Sequence, residues 1–380
     1  MTNVAVIGVG MTRFTRQSER GYDGMAREAV TKALDDAGLE TGAIEAIFCG
    51  ETIAGIGAGQ RMLKDFAFGG VPVTNIENAC ASSSSAMIEA CAWIKAGLCD
   101  VALALGAEVL SPAPKGPLEV SKENWMFAAG MNLPMWYAMQ AHRHMHEYGL
   151  TREQLAQVVV KSRTVAQHNE VAHFREPTSV EEVLGSALIA DPLTLFQCCP
   201  KTDGASAVIL ASERVVRKGD HRPVWIRGAK LQSGTAVYSD HPIEIGTARR
   251  SAQMALEEAG VEPTDLDVAE VHDAFSIGEI LYTEALGICG EGEAGHYVEA
   301  GHSLPSTDRT AINTSGGLLS RGHPLAASGL AMINEIVLQL RGEAGARQKE
   351  GARLGAAHNM GASDFQIDGN VCSVFVLEAG

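Results

Sequence analysis

Asn75–Ile–Glu–Asn–Ala–Cys80–Ala–Ser–Ser–Ser–Ser–Ala–Met–Ile–Glu–Ala90 sets the terms on which the rest of the chain is read. An extended, polar-tipped segment stops at one cysteine, and a run of small residues begins. Met87, Ile88, Cys91, Trp93 and Ile94 then recur at helical spacing, and nothing between Ala81 and Ala96 breaks a helix. The small residues at 81–86 let that helix pass close to neighbouring backbone. Cys80 therefore falls at a helix N-terminus, where unpaired N–H groups and the helix dipole favour a thiolate titrating below a free thiol. The plainer reading of any one cysteine is a buried apolar residue. A nucleophile also needs a base. Two distant stretches offer one: Val271–His–Asp–Ala–Phe–Ser276 and Ser315–Gly–Gly–Leu–Leu–Ser–Arg–Gly–His323–Pro–Leu–Ala–Ala–Ser–Gly329.

Around the nucleophile stretch, apolar runs at 4–9, 43–50, 71–76 and 101–105 predict strands, with helices over 22–38 and 82–97 between them. Strand–helix–strand alternation points to a layered α/β sheet. An excursion of about 111–200 breaks the rhythm with Pro112, Pro114 and Pro117, then helices through 141–148 and 151–169, the second opened by capping-box spacing at Thr151 and Gln154. A strand at 203–211 restores the pattern, and the plan repeats. Ala26–Arg–Glu–Ala–Val–Thr–Lys–Ala–Leu–Asp–Asp–Ala–Gly38 is echoed by Ala248–Arg–Arg–Ser–Ala–Gln–Met–Ala–Leu–Glu–Glu–Ala–Gly260, and Ser85–Ala–Met–Ile88 by Leu330–Ala–Met–Ile333. Two such halves imply a duplicated fold with its site at the junction. The halves read as 1–217, including the excursion, and 222–380. The second carries strands at 224–231, 268–271, 310–313, 353–358 and 371–377, and a glycine-rich loop at 316–322.

Composition narrows the function classes. At 380 residues with 46% hydrophobic residues and 41 glycines, the chain is globular and tightly packed. A net charge of −16 disfavours nucleic acid or an anionic membrane as partner. No apolar run reaches the roughly 20 residues of a membrane span, and the opening residues look like a first strand rather than a leader, so a cytoplasmic protein is expected. Eight scattered cysteines read as reduced thiols, and adjacent Cys198 and Cys199 are badly placed to chelate one zinc. His142, His144 and His146 cannot share one helical face, so they are read as solvated or packing residues and no metal is expected. The glycine-rich loop carries neither G-x-G-x-x-G nor G-K-[ST], which removes nucleotide-phosphate readings.

Five motifs in order resemble the thiolase superfamily, and within it the sterol-carrier-protein-type thiolases. They are Asn78–Ala–Cys–Ala–Ser–Ser83, Leu195–Phe–Gln–Cys–Cys–Pro–Lys–Thr–Asp–Gly–Ala205, His272–Asp–Ala–Phe275, Gly316–Gly–Leu–Leu–Ser–Arg–Gly–His–Pro324 and His358–Asn–Met–Gly361. The resemblance implies a duplicated α-β-α-β-α sandwich of five layers with a covering excursion. By that likeness Cys80 is the nucleophile that carries the acyl thioester and His323 its base, with His323 also able to donate to a thioester oxygen. His272 stands where common members have Asn, as the donor on the enolate side. The N–H groups of Cys80 and Gly361 would make a second oxyanion hole beside His272 and His323. Ala274, Phe275, Asn359 and Met360 are expected against the substrate.

The likeness also implies coenzyme A as substrate and no covalently bound cofactor. It implies at least a homodimer, built on the edge strand at 71–76, and a possible accessory subunit with an OB-fold and a zinc ribbon. Two departures stand out. The family's second cysteine is replaced by Asn359 at one of its usual positions and Ala274 at the other, which leaves His272, His323 or Cys372 as carriers of the second proton. Cys372 lies in an alternating apolar strand and reads as dispensable core. Residues 362–368 and Ala326 also differ from the usual glycine pattern, so a reshaped CoA-side loop is expected. The leading expectation is a 3-oxoacyl-CoA thiolase; the alternatives are a retro-aldolase acting on a 3-hydroxyacyl-CoA and a CoA-ester-binding subunit active only in a complex. Trp125, Phe127, Trp136 and Tyr137 suggest an aromatic or branched acyl group.

Overall fold

The computed structural model describes residues 2–16, 19–113, 116, 125–219, 221–234, 245–361 and 371–380, with Trp125 described by its backbone alone. The expected remodelling of 362–368 lies outside the described residues, as does the side chain of Trp125. Twelve strands are present among the described residues: β1 (Val4–Met11), β2 (Ala46–Gly50), β3 (Val73–Ile76), β4 (Val101–Glu108), β5 (Leu188–Ala190), β6 (Leu193–Thr194), β7 (Gly204–Ser212), β8 (Val224–Ser233), β9 (Val268–Val271), β10 (Ala311–Ile312), β11 (Leu354–Gly361) and β12 (Val371–Ala379). β5 and β6 form a separate hairpin in the excursion. The other ten run in the order β10-β9-β11-β12-β8-β1-β7-β4-β2-β3. Each half contributes five strands in matching order, mixed parallel and antiparallel. The two opening strands, β1 and β8, meet antiparallel at Ala5–Trp225 and Val6–Val224. That short seam joins the halves' sheets along one edge.

Alternation along the strands explains the layers. On β1, Val4 and Val6 face one core while Ala5 and Ile7 face another. On β4, Ala102 and Ala104 share the core of Ala86, Ala90 and Ile94 from helix Ser82–Lys95, whereas Leu103 and Leu105 pack with Ala29, Ala33 and Leu34 from helix Gly21–Ala37. Helix Leu325–Leu340 packs on strands of both halves and against helix Ser82–Lys95, so these two central helices lie between the sheets. Helix Ile245–Ala259, the sequence repeat of Gly21–Ala37, covers β8 and β12.

Small residues permit this closeness. A Cβ on Gly106 would lie 2.2 Å from the carbonyl oxygen of Ala326 and 2.6 Å from the Cβ of Ser83, and one on Gly329 would lie 2.9 Å from Ser84. The serines following Cys80 are thus the surface against which the second central helix seats, and all four are buried.

Several local signals hold. Gly38 ends the first helix in the left-handed region (φ 65°). Thr151 and Gln154 form the reciprocal capping box, each side chain 3.1 Å from the other's backbone N–H. Other readings change. The strand expected from residue 43 begins at Ala46, after a 3-10 turn at Thr41–Ala43. The expected loop at 316–322 contains a helix, Gly317–Arg321, with Gly316, Gly317 and Gly322 all at positive φ. Glycine there serves the ends of a short helix. Among the described residues no helix is long and apolar enough to cross a membrane.

Candidate active site

Cys80 sits in a strained turn between β3 and helix Ser82–Lys95. Ala79 has φ 48°, a left-handed conformation that costs a residue with a Cβ about 1–2 kcal/mol. Local bonds hold it. The N–H of Ala79 donates to Glu77 (2.8 Å), and the N–H of Asn78 donates to the Ser82 hydroxyl (2.9 Å), which donates onward to the carbonyl of Ala79 (2.7 Å). The amide of Asn78 donates to Ser85 (2.9 Å). Gly361, at the end of β11, closes on this turn from the other half. A Cβ there would lie 2.4 Å from the Asn78 carbonyl and 3.3 Å from Ala81. Gly361 is required by this approach.

The two histidines come from the second half. The Nε2 of His323 lies 3.2 Å from the Sγ of Cys80, and its Nδ1 lies 2.7 Å from the hydroxyl of Ser328. That hydroxyl donates its own proton to the carbonyl of Pro324 (2.9 Å). Nδ1 must therefore carry hydrogen toward Ser328, which leaves the Nε2 lone pair facing the thiol. His272 stands edge-on to His323, with ring centroids 5.2 Å apart. The reactive atoms of Cys80, His272 and His323 lie within 4.8 Å of one another. Thiol and imidazole are also zinc donors, and among the described residues this is the set of donors that converges. The same convergence suits proton transfer from thiol to imidazole.

Buried ion pairs build the platform beneath. Asp273 accepts from the N–H groups of Leu318 (2.6 Å) and Leu319 (3.4 Å) and so caps the helix that leads to His323. Glu270 accepts from Ser315 and from Arg321 (3.2 Å). Lys161, from helix Arg152–Ala166 of the excursion, pairs with Glu279 (2.7 Å), which also accepts from Asn313.

Burial decides the charge state, against the expected low-pKa thiolate. It pushes the Cys80 thiol up to about 12, with the carboxylate of Glu108 adding to the shift. It also pushes His323 down to about 3, helped by Arg321. His272 falls well below its ordinary value through burial and the neighbouring His323. The resting pair is a neutral thiol and a neutral imidazole. Cys80 precedes the first helical residue, Ser82, and the helix-end field does not overcome desolvation.

The other sequence candidates spread around this centre. Ala274 and Phe275 follow His272 and are nearly buried, with Phe275 stacked on Tyr137 at 4.6 Å. Asn359 turns its amide toward Met332 of the central helix (3.6 Å), and Met360 is fully buried. Phe127 and Trp136 are partly buried. The three excursion histidines diverge: His144 is buried against Glu284 (3.1 Å), His142 meets Asp191 at the surface, and His146 is exposed.

Two features escaped the sequence reading. Cys372 is buried as expected, yet its Sγ lies 3.2 Å from the Nε2 of His358, whose ring packs on Tyr282. Segment 198–201 is bonded to both histidine loops. The N–H of Cys199 donates to the carbonyl of Ala274 (2.9 Å), and the N–H of His323 donates to that of Pro200 (3.3 Å).

The model of the thiolase N-terminal domain matches residues 4–214, and that of the thiolase C-terminal domain-like family matches 229–366. The chain belongs to the thiolase family. It is 40% identical to an acetyl-CoA acetyltransferase of Methanothermobacter thermautotrophicus over 95% of this chain and 97% of the relative. It is 36% identical to sterol carrier protein 2 of Bos taurus over 94% and 70%, and 36% identical to the benzoylsuccinyl-CoA thiolase subunit BbsB of Thauera aromatica over 91% of each. Among solved structures, the Ltp2-ChsH2(DUF35) aldolase matches with a TM-score of 0.86 at 26% identity, covering 99% of this chain and 98% of its own. These likenesses support a thiolase-type acyltransferase of the sterol-carrier-protein kind.

Proposed function

We propose that this thiolase cleaves or forms a 3-oxoacyl-CoA through an acyl thioester on Cys80, with coenzyme A as second substrate and no covalently bound cofactor. The observation that carries the reading is the 3.2 Å approach of the Cys80 sulfur to the lone-pair nitrogen of His323, one from each half of the chain (1–217 and 222–380). His323 takes the thiol proton as the sulfur attacks, so the thiolate exists only during reaction. His272 donates to the enolate oxygen, and the N–H groups of Cys80 and Gly361 hold the second oxyanion. Each such donor is worth on the order of 100-fold or more in rate. Ala274, Phe275, Asn359 and Met360 border the substrate. The Phe275–Tyr137 stack favours an aromatic or branched acyl group, in keeping with the likeness to a benzoylsuccinyl-CoA thiolase subunit.

Edge strand β3 pairs with β2 on one side, and among the described residues no strand pairs with its other side, which is the edge offered to a second copy, giving a homodimer. An OB-fold, zinc-ribbon subunit is the proposed accessory, and the cytoplasm the proposed compartment. Intact-mass measurement after exposure to a 3-oxoacyl-CoA should find one acyl group on the protein, absent from Cys80→Ser. An active Cys80→Ser protein would end this reading.

A second reading, retro-aldol cleavage of a 3-hydroxyacyl-CoA in a two-subunit complex, is favoured by the likeness to the Ltp2-ChsH2(DUF35) aldolase. It predicts turnover with no adduct on Cys80.

A further inference from the structure

Thiolysis of a 3-oxoacyl-CoA moves two protons, and His323 handles one of them. It takes the proton of Cys80 when the sulfur attacks and returns it when Cys80 leaves the thioester. The other proton must reach the α-carbon of the departing acyl-CoA enolate, and must later be replaced from the thiol of incoming CoA. His272 is held as neutral imidazole, suited to hydrogen bonding rather than to giving up a proton. Ala274 has nothing to give, and Asn359 is an amide. Cys372 is fully buried and bonded to His358.

Cys199 remains, on the segment that bridges the loops of the two histidines. Cys198 pairs antiparallel with Phe275, and the N–H of Cys199 donates to the carbonyl of Ala274. Lys201 then pairs with His323, whose N–H donates to Pro200. Cys199 is thereby held between the loop of His272 and the loop of His323. Burial holds its thiol well above the ordinary value, and the charges of Cys198, Cys80 and Asp273 add to the rise. It waits protonated.

We propose that Cys199 is the second acid–base group of this site. This rests on the acyltransferase reading of Cys80. As the C2–C3 bond of the Cys80 adduct breaks, its electron pair passes to C2, and the Cys199 S–H proton follows, releasing acyl-CoA and leaving a Cys199 thiolate. That thiolate takes the S–H proton of incoming CoA, whose sulfur attacks the acyl group on Cys80. Cys80 departs and recovers its proton from His323, so both cysteines end as they began.

The test uses the full chain and separates the two protons. Acylation of Cys80 by p-nitrophenyl acetate releases a leaving group that departs without protonation, so the p-nitrophenol burst reports Cys80 and His323 alone. Deuterium uptake at the methyl carbon of acetyl-CoA in D2O, on acetylated enzyme, reports the second acid–base group. Cys199→Ala should keep the burst within about threefold while losing exchange and thiolysis by about 100-fold or more. Moving the thiol across the bridge, in Cys199→Ala with Ala274→Cys, should restore exchange. Exchange and thiolysis within about threefold of wild type in Cys199→Ala would overturn the assignment, and so would an equal fall in the burst. Wild-type protein that shows a burst but no exchange would do the same. Absence of any burst from wild type would remove the acyltransferase reading itself.

Discussion

Cys80 and Cys372 each lie 3.2 Å from the Nε2 of a histidine, and both histidines, at about 3, are neutral. The pairs differ in everything around that contact. Cys80 stands on a left-handed turn, where the residue keeps some exposure although its thiol is desolvated, and its histidine is oriented by Ser328. Cys372 lies inside a regular antiparallel ladder opposite Met360, fully buried, with Tyr282 over its histidine. On the proposed reading, a thiol beside an imidazole is not enough to make a nucleophile. Access, a fixed tautomer and a backbone that presents the sulfur are what distinguish the first pair.

The largest expected effect comes from removing the proposed base of the first pair. His323→Ala should slow acylation of Cys80 by about 10²–10⁴-fold, measured as adduct formation by mass spectrometry. His358→Asn should leave that rate within a few-fold, because the thiol it contacts is fully buried. Comparable losses in both variants would erase the distinction drawn between the pairs.

Alkylation sharpens it next. The Cys80 thiol is pushed up to about 12, so its thiolate fraction, and its rate with iodoacetamide, should climb about tenfold per pH unit between roughly 7 and 9. Cys372 should stay unlabelled in the folded protein throughout. A rate already level at neutral pH would mean that Cys80 and His323 exist as an ion pair, and burial would then not govern the site.

The smallest effect belongs to the second pair. Cys372→Ala leaves the Nε2 of His358 without its partner and should cost about 1–3 kcal/mol of stability in urea unfolding, with turnover nearly intact. Cys372→Ser keeps a hydrogen-bonding group and should cost less. Loss of turnover with stability unchanged would move Cys372 into the chemistry.

What the sequence disclosed and withheld follows from distance along the chain. The repeat of 26–38 in 248–260 revealed the duplication, because an amphipathic helix writes its buried face in local spacing. Cys80, His272 and His323 were identifiable because each sits in a short motif, and the fold brings those three together. The β1–β8 seam was not readable, since two strand edges reveal nothing about which will meet. The His358–Cys372 contact depends on the register of β11 against β12, which places Cys372 opposite Met360. Cys199 looked like half of an unremarkable cysteine pair, and its place beside Ala274 is a tertiary fact. The charge state of Cys80 was misread for a related reason: the helix terminus is local and visible, whereas the burial that outweighs it is not.

Asp273 offers a last consequence. Its carboxylate caps the helix leading to His323 while its backbone follows His272, and a Cβ on Gly317 would lie 2.0 Å from it. Two loops that wandered independently would add their positional errors at the reacting atoms. Tied through one carboxylate, they share a single error, and thermal jitter shifts both imidazoles in the same sense. Alignment of the two rings with each other is then preserved even when their alignment with the thiol is not.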